Sequence, residues 1–129
     1  MEQPSSQPIR VLIADDDPAM VEVLMACLGG EFEIVAAAKD AEEAIALAVA
    51  HTPDAAIVDV QMPLGGGLRA AHGIREGAPG TAIVALSADE SRQGVLDMLD
   101  AGTITYIRKG VQNDEIALKV RQAVAAHQP

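Results

Sequence analysis

Along the 129-residue chain, apolar residues gather into short runs, separated by longer stretches in which they recur every three or four positions. Five such runs, rich in β-branched residues, fall at 9–14, 33–38, 55–58, 82–86 and 103–107. The first, third and fourth are almost continuously apolar, the pattern of parallel strands covered by helices on both faces. A βα unit repeated five times is predicted.

The intervening stretches carry the i, i+3, i+4 spacing of a helix with one buried stripe. Ala41, Ala44, Ile45 and Ala48 form one stripe, Val95, Met98 and Leu99 another, and Ile116, Val120 and Val124 a third. Met20, Val23, Leu24 and Leu28 mark an earlier helix, in which Cys27 is expected as a buried apolar residue. Boundary residues agree with this division. Asp17 suits an N-cap ahead of Pro18, Asp40 and Glu43 are spaced as a capping box, and Asn113 stands before the last helix.

Short connections and right-handed crossovers fold such an alternation into a doubly wound α/β sheet, whose ligands sit outside the carboxyl ends of the strands. Parallel strands bring the residues after Ala14, Val58, Leu86 and Ile107 to one edge. Asp15, Asp16, Asp17, Asp59, Ser87 and Lys109 stand there.

Composition narrows the picture. One Phe, one Tyr and no Trp leave the core to Ala, Val, Ile, Leu and Met. A net charge of -10 repels polyanions, so direct nucleic-acid binding by this domain is not expected. Cys27 is alone and makes no internal disulfide. Residues 1–8 are polar and Pro-bearing, without the apolar core of a secretory signal, and are expected to be disordered. Lys39, Asp40, Glu42 and Glu43 break the Ala-rich stretch after Ala36, so no membrane span is expected. The expected organisation is one domain over 9–126, with 127–129 a tail or a cut linker, in a cytoplasmic protein.

The chemistry concentrates at the strand ends. An N-cap role explains one of the three consecutive acids, not all of them. If Asp15, Asp16 and Asp59 gather within about 4 to 5 Å, each pair repels by roughly 3 to 4 kcal/mol at an effective dielectric near 20. A dication is the natural counterweight, and Mg²⁺ suits an open cluster of one or two carboxylates with phosphate and water. One carboxylate could then act as nucleophile toward phosphorus. Ser87 could donate to one phosphoryl oxygen and Lys109 could neutralise another.

In this order, Val11-Leu12-Ile13-Ala14-Asp15-Asp16-Asp17-Pro18, Asp59 followed by Met62, Pro63 and Gly67, Ser87-Ala88, Tyr106 and Lys109 form a specific set. Over residues 9–126 the chain resembles a receiver domain of two-component response regulators. The resemblance implies a flavodoxin-like five-stranded parallel sheet of order 2-1-3-4-5 with five helices. It implies that Asp59 accepts phosphate from a sensor histidine kinase or phosphotransfer protein. Asp16, Asp59 and the backbone carbonyl of Gln61 would ligate Mg²⁺, with Asp15 acting largely through bound water. Ser87 and Tyr106 would be the switch, altering the surface of the fourth helix, fifth strand and fifth helix for an output partner. A homodimer through the fourth and fifth helices is also compatible. The domain would be regulatory rather than an enzyme, with only self-catalysed phosphotransfer and dephosphorylation.

One departure matters. Gly110 follows Lys109 where the family usually has proline, so a trans bond is expected there and the placing of Lys109 becomes the point to examine. The alternative is a receiver-like interaction module that works without phosphorylation. Other readings fit less well. Gly65, Gly66 and Gly67 are not followed by the lysine and hydroxyl of a P-loop, and instead suit a turn with positive backbone dihedrals that leaves a mobile loop beside Asp59. A flavin binder would not place three carboxylates after its first strand. A haloacid-dehalogenase phosphatase would want an Asp where Gln61 stands. His51, His72 and His127 share no metal-ligand spacing and are expected at the surface.

Overall fold

The computed structural model describes residues 8–87 and 92–127, so most of the expected N-terminal segment and Ala88 lie outside the described residues. Ten elements alternate strictly: β1 (Arg10–Ala14), α1 (Pro18–Leu28), β2 (Glu33–Ala38), α2 (Ala41–His51), β3 (Ala55–Asp59), α3 (Gly66–Gly77), β4 (Ala82–Ser87), α4 (Arg92–Asp100), β5 (Thr103–Arg108) and α5 (Asn113–His127). The strands form one sheet of order β2-β1-β3-β4-β5, every neighbouring pair parallel. This is the expected doubly wound architecture.

Why three strands read as continuously apolar is visible in the two packing layers. Leu12, Ala14, Ala56, Val58, Ile83 and Ala85 face α2, α3 and Met98 of α4. Val11, Ile13, Ala55, Ile57, Val84 and Leu86 face α1 and α5, through Leu24, Leu28, Ile116 and Val120. Alternate residues of one strand thus enter opposite layers, and each large aliphatic side chain contributes about 1.5 to 3 kcal/mol by leaving water. β2, at the edge, is covered less and buries only Ala38 fully.

The caps follow the sequence closely. The Asp17 side chain accepts from the Ala19 N–H at 3.0 Å, with Pro18 in the first turn of α1. The Asp40 side chain accepts from the Glu43 N–H at 2.8 Å, whereas Glu43 accepts from the N–H of Lys39, one residue earlier than a standard capping box requires.

Some expectations need correction. Leu99 is 45% exposed and Val23 48%, so neither belongs to its predicted stripe, and Cys27 is half-buried rather than buried. Periodicity finds a face but does not fix its edges. Ile45 packs against the core from a half-buried position, and Val95 falls outside the described side chains. Asn113 is the first residue of α5, not its cap, because the Gln112 carbonyl already accepts from the Glu115 and Ile116 amides. Of the histidines, His72 is exposed, while His51 and His127 are half-buried, with Nε2 of His127 2.8 Å from the Pro79 carbonyl.

Candidate functional site

The parallel register carries the ends of β1, β3, β4 and β5 to one edge, with Ala14 beside Val58, Asp59 beside Leu86 and Ser87 beside Arg108. Asp59 is itself the last residue of β3, one position beyond the predicted strand, and is 4% exposed. Asp15 follows β1 directly, holds the strand edge through its N–H to the Ala38 carbonyl at 2.9 Å, and is 2% exposed. Asp16 is exposed. Carboxylate oxygens of Asp15, Asp16 and Asp59 lie within 4.8 Å of one another. The predicted gathering of acids is present.

Lys109 answers two of them. Its Nζ lies 3.3 Å from Asp59 Oδ2 and 3.5 Å from Asp15 Oδ2. The Lys109–Gly110 bond is trans, as expected, and Gly110 takes φ +99°, a left-handed conformation closed to proline, whose φ is fixed near −65°. The loop is held instead by the Lys109 N–H, which donates to the Ser87 carbonyl at 2.8 Å. The lysine is therefore placed without the usual proline.

Burial and the neighbouring Asp15 charge push the Asp59 carboxyl above its ordinary range, against the opposing pull of the Gln61 N–H and Lys109. Burial disfavours the Lys109 ammonium, but Asp59 and Asp15 together outweigh it and the net shift is upward. Asp15 Oδ1 accepts from the Asp17 N–H at 2.9 Å. Its Oδ2 is buried and, at 3.5 Å from Lys109, has an ion-pair neighbour but no hydrogen bond. A buried carboxylate oxygen without a hydrogen bond, among three acids of which two share one ammonium, fits a hard cation with oxygen ligands.

The Gln61 N–H donates to Asp59 Oδ1 at 3.3 Å, which puts the Gln61 backbone immediately beside the acids. Gly67 makes this turn possible, since a Cβ there would stand 2.6 Å from the Asp59 carbonyl oxygen. Of the three adjacent glycines, Gly65 and Gly66 have positive φ, as expected for the turn. Ser87 is fully buried at the end of β4. Tyr106 lies further back along β5, paired with Ala85 and half-buried against the α2–α4 layer. Beside Asp15 and Asp16 opens a cleft of about 450 Å³, lined also by Val21, Glu22, Lys39 and Glu43.

Sequence reasoning missed two residues at the border of the site. Arg69 donates from Nη1 to the Leu64 carbonyl at 2.9 Å, and its Nη2 lies 3.6 Å from Glu42 Oε2. No motif marks them, and the glycine-rich turn by itself suggests a mobile loop, whereas Arg69 and the Ala41 N–H tie it to α3 and α2.

Comparison with known proteins gives a consistent result. A family model described as the response regulator receiver domain matches residues 11–121. The chain is 38% identical over 121 residues to the transcriptional regulatory protein PdtaR of Mycobacterium tuberculosis, covering 92% of this chain and 58% of that protein. It spans about half the length of most curated regulators it matches. Among solved structures, the response regulator domain of Thermotoga maritima CheB is similar with a TM-score of 0.85 and 28% identity, covering 92% of this chain and 98% of that one. The CheX-CheY complex with BeF3 and Mg²⁺ from Borrelia burgdorferi aligns with a TM-score of 0.84 and 28% identity, covering 90% and 89%.

Proposed function

The chain belongs to the response regulator receiver domain family of two-component signalling, and from that premise we propose that Asp59 accepts a phosphoryl group beside a bound Mg²⁺. The observation that carries this reading is the convergence of Asp15, Asp16 and Asp59 within 4.8 Å, with Lys109 3.3 Å from Asp59. Asp16, Asp59 and the Gln61 carbonyl would hold the ion, with Asp15 acting through bound water. The presence of Mg²⁺ in the similar CheX-CheY complex favours that ion. When bound, it neutralises charge between the carboxylates and the incoming phosphoryl oxygens.

The donor is a sensor histidine kinase or a phosphotransfer protein carrying phosphohistidine. An Asp59 carboxylate oxygen forms the new O–P bond as the donor's P–N bond breaks. The bonding pair leaves with the imidazole nitrogen, which is then protonated. Lys109, already between Asp59 and Asp15, turns part of its charge to a phosphoryl oxygen, and the Ser87 hydroxyl donates to another. The domain is a regulatory acceptor whose only catalysis is on itself, acting in the cytoplasm. Among the described residues, no helix is long and apolar enough to cross a membrane.

The output follows from Ser87 and Tyr106. Movement of Ser87 toward the phosphoryl group would draw Tyr106 inward and reshape the α4-β5-α5 surface. Leu96 and Leu99 on α4 and Leu118 on α5 are 48%, 45% and 43% exposed, which supports a docking surface there for an output partner or a second copy. A phosphorylation-independent module would draw on Gly110, yet the ammonium reaches both acids despite that glycine, which favours the acceptor reading.

Incubation with Mg²⁺ and acetyl phosphate tests it by intact mass. One added phosphoryl group is expected on the unsubstituted protein and on Asp54→Asn, and none on Asp59→Asn. An adduct that survives Asp59→Asn would refute the assignment.

A further inference from the structure

The loop from Val60 to Gly65 carries Gln61 past the acids, and its far end is strained. Leu64 has φ +63°, a left-handed conformation in which its Cβ crowds the following carbonyl. Such a conformation persists only where the surroundings over-determine it. Packing does not supply that, because Leu64 is 53% exposed.

Polar contacts do. Arg69 donates from Nη1 to the Leu64 carbonyl at 2.9 Å, and Nη2 stands 3.6 Å from Glu42 Oε2 at the start of α2. Its aliphatic stem covers Gly65 so closely that a Cβ there would lie 2.6 Å from Arg69 Cδ. The Ala41 N–H adds a second tie, donating to the Pro63 carbonyl at 3.3 Å. A cation in the first turn of a helix meets the positive end of the helix dipole, so Arg69 is placed there against its local preference. A planar guanidinium can serve a carbonyl and a carboxylate at once.

The near end of the loop is fixed as well. The Val60 N–H donates to the Leu86 carbonyl at 3.1 Å, the Gly67 N–H to the Val60 carbonyl at 2.8 Å, and Met62 is buried. Gln61 is suspended between these two anchors.

We propose that Arg69, braced by Glu42, is a positioning residue that holds the Gln61 carbonyl at the height the cation requires. This rests on the reading of Asp16, Asp59 and Gln61 as cation ligands. Mg²⁺ tolerates little departure from octahedral geometry, so a small drift of one backbone ligand is felt in affinity. The clamp also ties the start of α2 to the phosphoacceptor loop, although neither Arg69 nor Glu42 touches the acids.

Calorimetric Mg²⁺ titration and amide exchange in EDTA test this on Arg69→Ala, Arg69→Lys, Glu42→Gln and the remote Arg121→Ala. Arg69→Ala should bind Mg²⁺ about tenfold more weakly, the usual scale for loss of a group that orients a metal ligand. Exchange at Gln61, Leu64 and Gly67 should quicken in the same variant. Arg69→Lys should recover part of the affinity, Glu42→Gln should lose less, and Arg121→Ala should match the unsubstituted protein. Thermal unfolding in EDTA separates the roles, since a merely structural arginine would lower the midpoint and leave Mg²⁺ affinity alone. Unchanged affinity or unchanged exchange in Arg69→Ala overturns the clamp. Failure of the unsubstituted protein to bind Mg²⁺ would refute the metal reading instead, and exchange in EDTA would still decide whether Arg69 holds the loop.

Discussion

Asp59→Asn should make the metal-free protein more stable at neutral pH, although it removes an ion-pair partner. Asp15 and Asp59 lie within 4.8 Å of each other, a repulsion of about 3.5 kcal/mol at an effective dielectric of 20. Lys109, 3.3 Å away, returns about 5 kcal/mol on the same scale. The difference leaves a net attraction of about 1.5 kcal/mol, which is outweighed by the desolvation of a carboxylate that is 4% exposed, a penalty of several kcal/mol. Asparagine avoids most of that penalty, and Lys109 keeps Asp15 as a partner at 3.5 Å. A net gain of about 1 to 2 kcal/mol is expected, or a rise of about 3 to 6 °C in Tm.

The pH dependence fixes the sign. The folded pKa of Asp59 is raised above its ordinary value of 3.8, so its favourable contribution exists below that value and is lost as pH rises through the folded pKa. The advantage of asparagine should grow as pH rises above 3.8 toward neutrality and vanish as pH falls to that value. Thermal unfolding in EDTA across that window measures it. Mg²⁺ at 100 times its Kd should stabilise the unsubstituted protein by about 2.7 kcal/mol and the variant by less, which narrows the gap. An Asp59→Asn protein less stable than its parent in EDTA at pH 7 would refute this reasoning.

Lys109→Met leaves Asp15 and Asp59 buried without a counter-charge and should cost about 2 to 4 kcal/mol in urea unfolding, partly restored by Mg²⁺. Gly67→Ala sets a Cβ against the Asp59 and Val60 backbone, which cannot yield as a side chain would. A loss of about 2 kcal/mol or more in urea unfolding is expected, with weakened Mg²⁺ binding by calorimetry. Gly110→Ala meets no atom within 4 Å, so only its φ of +99° is at stake. It should cost about 1 kcal/mol in urea unfolding and leave phosphorylation by acetyl phosphate intact.

Much of this was legible in the chain because β1, β3 and β4 are buried on both faces, so their residues had to be apolar without a break. Strand direction then did the rest. Once β1 and β3 are parallel neighbours, Asp15 and Asp59 must share an edge, and the Asp17-Pro18 pair marks where α1 begins. What the pattern could not deliver depends on choices between adjacent apolar residues and on loop geometry. Met98 is buried and Leu99 beside it is not, because α4 turns its far side outward. The reach of Lys109 past Gly110 depends on the hydrogen bond to the Ser87 carbonyl, and Arg69 meets Leu64 only because that leucine adopts a left-handed turn. Neither is encoded as a spacing.

Borohydride reduction tests most directly whether Asp59 carries the phosphoryl group at a cation-dependent site. The protein is incubated with acetyl phosphate in Mg²⁺ or in EDTA, reduced, digested and mapped by peptide mass, since an aspartyl phosphate is converted to homoserine. Homoserine at position 59 alone, and only with Mg²⁺, is the expected result. Homoserine at another aspartate, or equal conversion in EDTA, would contradict it.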